Sequence, residues 1–184
     1  MGYQIGDKVA AFTLPRVEGG ELTVDPSTAA ATVVVFTANH CPYALAWHDR
    51  IQQVARDYAG ESVQLVQVNA NNEVTHPADS TAASAKRVAD GHFAGPYLRD
   101  QPQELTRAWG AEKTPDVFIV DGAGVLVYRG APDSDQDDES QRASYLREAL
   151  DDVLAGQPVG RPETAPRGCG IKWRTVDLGT PAGP

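Results

Sequence analysis

Thr32-Val33-Val34-Val35-Phe36-Thr37-Ala38-Asn39-His40-Cys41-Pro42-Tyr43-Ala44 is the stretch that decides the fold. Its first five residues are a continuous β-branched and aromatic run, as expected of a strand covered on both faces. Pro42 suits the first position of a helix, where its missing N–H leaves no bond unmade. Leu45, Ile51, Val54 and Tyr58 follow at helical spacing, and Gly60 can serve as C-cap. Val63-Gln64-Leu65-Val66-Gln67-Val68 is then a second strand. Strand, helix and strand in this order make a βαβ unit with a parallel crossover.

Upstream, Phe12-Thr13-Leu14 and Leu22-Thr23-Val24 flank Gly19-Gly20 and predict a small N-terminal β-hairpin. Downstream, residues 69–80 are polar and form a loop longer than most connections. A helix is expected over 80–90, a short strand at Tyr97-Leu98-Arg99, and a short helix over 103–109 ending at Gly110. Residues 116–120 and 125–129 read as a second hairpin around Asp121-Gly122-Ala123-Gly124, because Asp-Gly supplies positive-φ turn chemistry. The acidic run 133–139 is expected to be a solvated loop. It leads into a helix whose stripe is Tyr145, Leu146, Leu150, Val153 and Leu154, closed by Gly156. The order of elements predicts an α/β fold, a mixed central sheet with helices on both faces. The domain is expected over 1–156. Residues 157–184 form a Pro/Gly-rich C-terminal tail that carries Cys169, Ile171 and Trp173 and docks in part on the domain.

The chain has 184 residues, enough for one good core. A net charge of −9 argues against nucleic acid and against anionic membrane surfaces as partners. No stretch approaches the ~18 apolar residues of a membrane span. The start MGYQIGDKV has neither the basic opening nor the apolar run of a secretory leader, so a cytoplasmic location is expected. Two cysteines are too few for a disulfide scaffold or a structural zinc site. No glycine-rich dinucleotide fingerprint follows a strand, so no cofactor is expected.

A thiol must lose its proton before it attacks, and a free cysteine with a pKa of ~8.5 is mostly inert at neutral pH. Cys41 falls at the predicted N-cap, where unpaired N–H groups and the helix dipole favour an anion. His40 can add positive charge beside it. The bland alternative is a small buried hydrophobe, the usual fate of free cysteine. Cys169 has the same two readings: an inert thiol, or a resolving cysteine that condenses with oxidised Cys41. The position where a Cys-x-x-Cys site has its second sulfur is Ala44, so Cys41 must use Cys169 or an external thiol. Arg129 could assist a peroxide or oxyanion, or be a surface strand-end arginine. Trp47 and Trp109 read as core or groove-lining, and Asn71-Asn72 as a turn. His40, His48 or His76 with Cys41 match no known ligand spacing, so no metal is expected.

The chain resembles the thioredoxin superfamily, in particular its redoxin or peroxiredoxin-like branch, the alkyl hydroperoxide reductase and thiol-specific antioxidant group. The resemblance rests on Gly6-Asp7-Lys8-Val9-Ala10-Ala11-Phe12-Thr13-Leu14, Cys41-Pro42, Thr114-Pro115-Asp116, Phe118-Ile119-Val120-Asp121 and Gly124-Val125-Leu126-Val127-Tyr128-Arg129-Gly130. Gly168-Cys169-Gly170-Ile171-Lys172-Trp173, taken with Asn39-His40-Cys41-Pro42-Tyr43, resembles a subgroup of peroxiredoxin-like proteins. The resemblance implies a thioredoxin-like fold, and a cis Pro115 facing Cys41. It also implies a substrate groove with Thr114, Pro42, Tyr43 and Arg129, and redox-active, antioxidant chemistry on a peroxide or disulfide substrate. The group's threonine and proline, three and seven residues before its cysteine, fall here on Ala38 and Val34. Thr37 stands one residue out of register. Three functions remain open. The first is a two-cysteine oxidoreductase, reduced by a thiol protein or a low-molecular-weight thiol. The second is a one-cysteine enzyme resolved by an external thiol, and the third a non-catalytic module binding extended peptides.

Overall fold

The structure, a computed structural model, describes residues 2–175; Met1 and residues 176–184, the end of the expected tail, lie outside the described residues. At its centre β3 (Ala31–Thr37) lies between two neighbours. On one side β4 (Val63–Asn69) runs parallel, and β5 (Tyr97–Arg99) runs parallel beyond it. On the other side β7 (Asp116–Asp121) is antiparallel to β3, and β8 (Leu126–Gly130) is antiparallel to β7. The result is a five-stranded mixed sheet, β5-β4-β3-β7-β8. The outlying hairpin pairs β1 (Phe12–Pro15) with β2 (Glu21–Val24).

Alternation along β3 explains its unbroken apolar run. Val33 and Val35 point into a core with Trp47, Ile51 and Val54 of α1 (Pro42–Asp57) and Leu146 and Leu150 of α4 (Ser144–Leu154). Val34 and Phe36 point to the opposite face, into a core with Leu14, Val24, Trp109 and Ile171. Trp109 ends α3 (Glu104–Trp109), which stops at Gly110 with φ 72. Both faces are therefore covered, and this is the thioredoxin-like arrangement. The remaining helix, α2 (Thr81–Ala89), packs at the β5 edge, capped by the Ser80 hydroxyl, which accepts the Ala83 N–H at 3.1 Å. No helix among the described residues is long and apolar enough to cross a membrane.

Three local expectations change. The first helix ends at Asp57 with Tyr58 as C-cap, and the left-handed residue of the following turn is Ser62 rather than Gly60. Tyr58 is held there because its hydroxyl donates to Asp151 of α4 at 2.6 Å. Leu45 is an exposed apolar residue on the outer face of α1, while Ala44, Trp47 and His48 turn inward. The acidic run is not wholly solvated. Asp133 is fully buried and accepts the Trp47 Nε1–H at 2.7 Å, the Arg50 guanidinium at 2.9 Å and the Ala143 N–H at 2.9 Å. Arg50 also donates to the carbonyls of Asp135, Gln136 and Asp138, so the loop wraps around one cation at the middle of α1.

Beyond α4 the chain lies back on the body. The Thr164 hydroxyl accepts the Ala131 N–H at 2.8 Å, and Thr164 N–H donates to Arg129 O at 3.1 Å. Further on, β9 (Cys169–Gly170) pairs antiparallel with β6 (Lys113–Thr114), the short strand just before Pro115.

Candidate active site

Cys41 is the N-cap of α1, with φ −76 and ψ 121, and it is 0% exposed. Its Sγ–H donates to Thr114 O at 3.0 Å. Around it lie Ala38, Ala44, Tyr43 and Cys169. The Thr114–Pro115 bond is cis. Because Thr114 and Cys169 are direct partners in the β6–β9 ladder, that ladder sets the Cys169 thiol against Cys41. Gly168 makes the approach possible: a Cβ there would lie 2.0 Å from Thr114 O. Cys169 itself is half-buried, so it roofs the deeper sulfur.

The two thiols titrate apart. Burial opposes ionisation of Cys41, but the Cys169 thiol, the Thr114 hydroxyl and the Ala44 and Cys169 amides favour the ionised sulfur and together outweigh it, so its pKa is lowered. Burial and the Cys41 sulfur push Cys169 up to about 11. Of the two thiols, Cys41 is the one that gives up its proton first. Among the described residues Thr114 Oγ1 is buried without a hydrogen-bond partner, which leaves its hydroxyl available to a charge on Cys41.

The loop that presents Cys41 is held by Asp79, a fully buried carboxylate the sequence reading passed over. Asp79 accepts the Asn39 N–H at 2.6 Å, Asn69 Nδ2 at 2.8 Å and the His40 Nδ1–H. His40 is therefore oriented by Asp79 and stacks near His76, with ring centroids 4.4 Å apart. The signal for Asp79 was the unusual length of its polar loop, which folds inward instead of into solvent. Asn71 belongs to the same buried set and is more than a turn residue: its Oδ1 accepts the Lys172 N–H at 2.9 Å.

The other candidates are distributed unevenly. Pro42 and Tyr43 line a shallow hollow with Gln136 and Asp137, and Tyr43 also packs against the Cys41 cluster. Thr37 is buried at the end of β3, and its carbonyl accepts Asn71 Nδ2 at 3.4 Å. Arg129 is committed away from the thiols. It donates to Tyr3 O at 3.2 Å and lies over the Phe118 ring, on the face opposite α1 and α4. His48 is engaged with His92 O at 2.7 Å, and its burial lowers its pKa. Trp47 and Trp109 are fully buried. Among the described residues no three His, Cys, Asp or Glu side chains are grouped as a metal ion would need.

The Redoxin family pattern matches residues 4–146, which spans both the Cys41 loop and the cis-proline. The chain belongs to the Redoxin family. This redoxin is 31% identical to a hypothetical protein from Sinorhizobium meliloti 1021, whose structure superposes with a TM-score of 0.88 over 96% of this chain and 98% of that one. Its fold also matches that of the peroxidoxin BcpB from Mycobacterium tuberculosis, at 17% identity and a TM-score of 0.59, over 85% of this chain and 97% of the other. Methylamine utilization protein MauD of Paracoccus versutus is 26% identical over 129 residues, which is 70% of this chain and 59% of MauD.

Proposed function

We propose that this redoxin is a two-cysteine thiol oxidoreductase that cycles between the dithiol and a Cys41–Cys169 disulfide. The observation that carries the reading is the β6–β9 ladder, which brings a second sulfur to a cysteine whose local partner position is Ala44. In the oxidising half, the Cys41 thiolate attacks one oxygen of a hydroperoxide. The S–O bond forms, the O–O bond breaks, and water or an alcohol leaves with a proton. The Cys169 thiol then gives up its proton and attacks the Cys41 sulfur. The S–S bond forms, the S–O bond breaks and water departs. A dithiol protein or two low-molecular-weight thiols return the electrons by exchange. A small hydroperoxide is the favoured oxidant, because Cys41 is 0% exposed beneath the tail. Thr114 and Cys169 serve the thiolate directly, and His40 and Asp79 position its loop. We assign the work to the cytoplasm, where thiols are kept reduced; cell fractionation tests that assignment.

The test is to titrate the thiols of the purified protein before and after one equivalent of hydrogen peroxide and to map any disulfide by peptide mass. Loss of both thiols to a Cys41–Cys169 bond is expected. Oxidation no faster than that of an unstructured thiol would defeat the peroxidase reading. It would leave a disulfide as the oxidant, a route that needs the Lys113-Thr114 edge cleared of the tail.

A further inference from the structure

Gln103 is a fully buried polar residue with φ 64 and ψ 21, a left-handed conformation that a side chain bearing a Cβ rarely adopts. If only the turn into α3 were at stake, glycine would serve there without strain. The side chain itself is what is used. Its Nε2 donates to Ala70 O at 2.6 Å and to Lys172 O at 2.9 Å, and its Oε1 accepts the Arg174 N–H at 2.8 Å. Asn71, also buried, takes the Lys172 N–H on its Oδ1 at 2.9 Å, and Asn72 N–H donates to Lys172 O at 2.8 Å. Asn71 is in turn fixed: its N–H donates to Asn69 Oδ1 at 3.0 Å, and its carbonyl accepts Arg99 Nη2 at 2.9 Å. Ile171 N–H donates to Glu112 O at 3.1 Å, and the Ile171 side chain is buried.

The contacts that Gln103, Asn71, Asn72 and Glu112 make with the tail are all to the main chain of residues 171–174. They form a strap that grips the tail just past Cys169 by its main chain, to which the Arg174 side chain adds one long bond, from Nη1 to Gln101 O at 3.3 Å. Trp173 adds only a stacking contact, 4.3 Å from the Arg107 guanidinium to its ring centroid. Ordered polar side chains buried to hold a tail segment need a reason, since each is costly when its partner leaves. The neighbouring Cys169 supplies it.

We propose that Gln103 and Asn71 are positioning residues for the thiol pair, holding the tail's main chain so that Cys169 is delivered to Cys41. The inference rests on the reading that Cys169 resolves Cys41. The strap acts on the second step alone, the attack of the Cys169 sulfur on oxidised Cys41 that forms the S–S bond and expels water. With the strap broken, Cys169 is a tethered but undirected thiol, and its effective concentration at Cys41 falls.

The experiment follows the full-length protein after a pulse of hydrogen peroxide. It reads two rates: appearance of Cys41 sulfenate, trapped with a dimedone probe, and appearance of the Cys41–Cys169 disulfide by mass. Lys172→Pro removes the N–H that Asn71 Oδ1 accepts and leaves the Gln103 and Asn71 side chains in place. Lys172→Ala loses the same charge but keeps that N–H. In Gln103→Ala/Lys172→Pro the disulfide step is expected to slow about tenfold or more, with sulfenate formed no more slowly than in wild type. Lys172→Ala should stay within about threefold of wild type, since its main-chain bond survives. A double variant that closes its disulfide at the wild-type rate would overturn the proposal. Should Gln103→Ala fail to fold, Lys172→Pro against Lys172→Ala carries the test, and equal rates would overturn it. Wild-type protein that forms sulfenate but no disulfide would overturn the resolving role itself, and the strap proposal with it.

Discussion

Asp116 opens β7 directly after the cis-proline and is buried, with its Oδ2 accepting the Glu112 N–H at 3.3 Å. Burial pushes its carboxyl from the ordinary 3.8 up to about 7, against the pull of that amide and of Arg129. Ionising it in place therefore costs the folded state about 4 kcal/mol relative to the unfolded chain. Below the unfolded pKa both states keep the proton, and Asp116 has no effect on stability. Between the unfolded value and about 7 the unfolded chain gives up its proton while the folded protein holds on, so stability falls by about 1.4 kcal/mol per pH unit. Above that range both states are ionised and the loss is complete. Asp116→Asn keeps the shape and an acceptor for Glu112 but does not titrate. Urea unfolding of both proteins, from about pH 4.5 to about pH 8.5, isolates the effect in the difference between them. The variant's advantage should grow with pH to near neutrality and then level off. A difference that stays flat within about 0.5 kcal/mol across this range would show that Asp116 ionises in place at little cost.

Other consequences are as direct. Thr114→Val removes a hydroxyl donor from the thiolate, so the pH midpoint of Cys41 alkylation should rise by about half a unit to one unit. An unmoved midpoint in iodoacetamide kinetics would exclude that hydroxyl from the site. Gly168→Ala sets a Cβ where Thr114 O already lies, 2.0 Å away, and should lift β9 from β6. Maleimide labelling of Cys41 should then accelerate, whereas unchanged protection would mean the ladder tolerates the methyl. Asp133→Ala leaves Arg50 buried without its partner and should cost about 3–5 kcal/mol in urea unfolding, far more than a surface acid. A loss below about 1 kcal/mol would show that the loop carbonyls alone satisfy Arg50. Oxidised protein given limiting glutathione and quenched in acid should carry the mixed disulfide on Cys169; its appearance on Cys41 would reverse the order of attack described below.

The parts of the fold set by local chemistry were legible in the sequence. The β-branched run at β3, the proline opening α1, and the Asp-Gly turn between β7 and β8 each follow from their own few residues. Cys41 was legible for the same reason, since a cysteine between a buried strand and a proline-led helix stands at an N-cap. Tail docking was visible in outline, because a Pro/Gly-rich segment has little other use for Ile171. What remained hidden were the polar groups whose meaning depends on distant partners. Asp79, Asn71, Gln103 and Asp133 all lie in stretches that read as loop or helix margin, yet each is buried and bonded to segments far along the chain. Hydrophobic periodicity carries no trace of such pairings. Arg129 shows the converse: its place after Val127-Tyr128 left open both a role with a peroxide or oxyanion and a surface strand-end arginine, and packing set it over Phe118 and against Tyr3 O.

In the proposed two-cysteine cycle, the asymmetry of the thiol pair sets a direction. In the oxidised state the two sulfurs differ in access and in quality as leaving groups. Cys41 lies at 0% exposure beneath the tail, whereas Cys169 is half-buried at the surface of the β6–β9 ladder. An incoming thiolate can reach Cys169 without moving the strap. Attack there expels Cys41, the sulfur whose ionised form is favoured by the Thr114 hydroxyl and the Ala44 amide, and a thiolate of lower pKa leaves faster. Access and leaving-group chemistry thus favour the same bond-breaking order. In a Cys-x-x-Cys site both sulfurs belong to one helix turn, and the edge beside the proline stays open to an extended polypeptide. Here Ala44 removes the local partner, and the tail supplies the second sulfur by occupying that edge. In that proposed cycle the contact by which Cys169 resolves Cys41 also limits what can reach Cys41 first, so one two-residue strand would govern both the recycling of the nucleophile and the size of its oxidant.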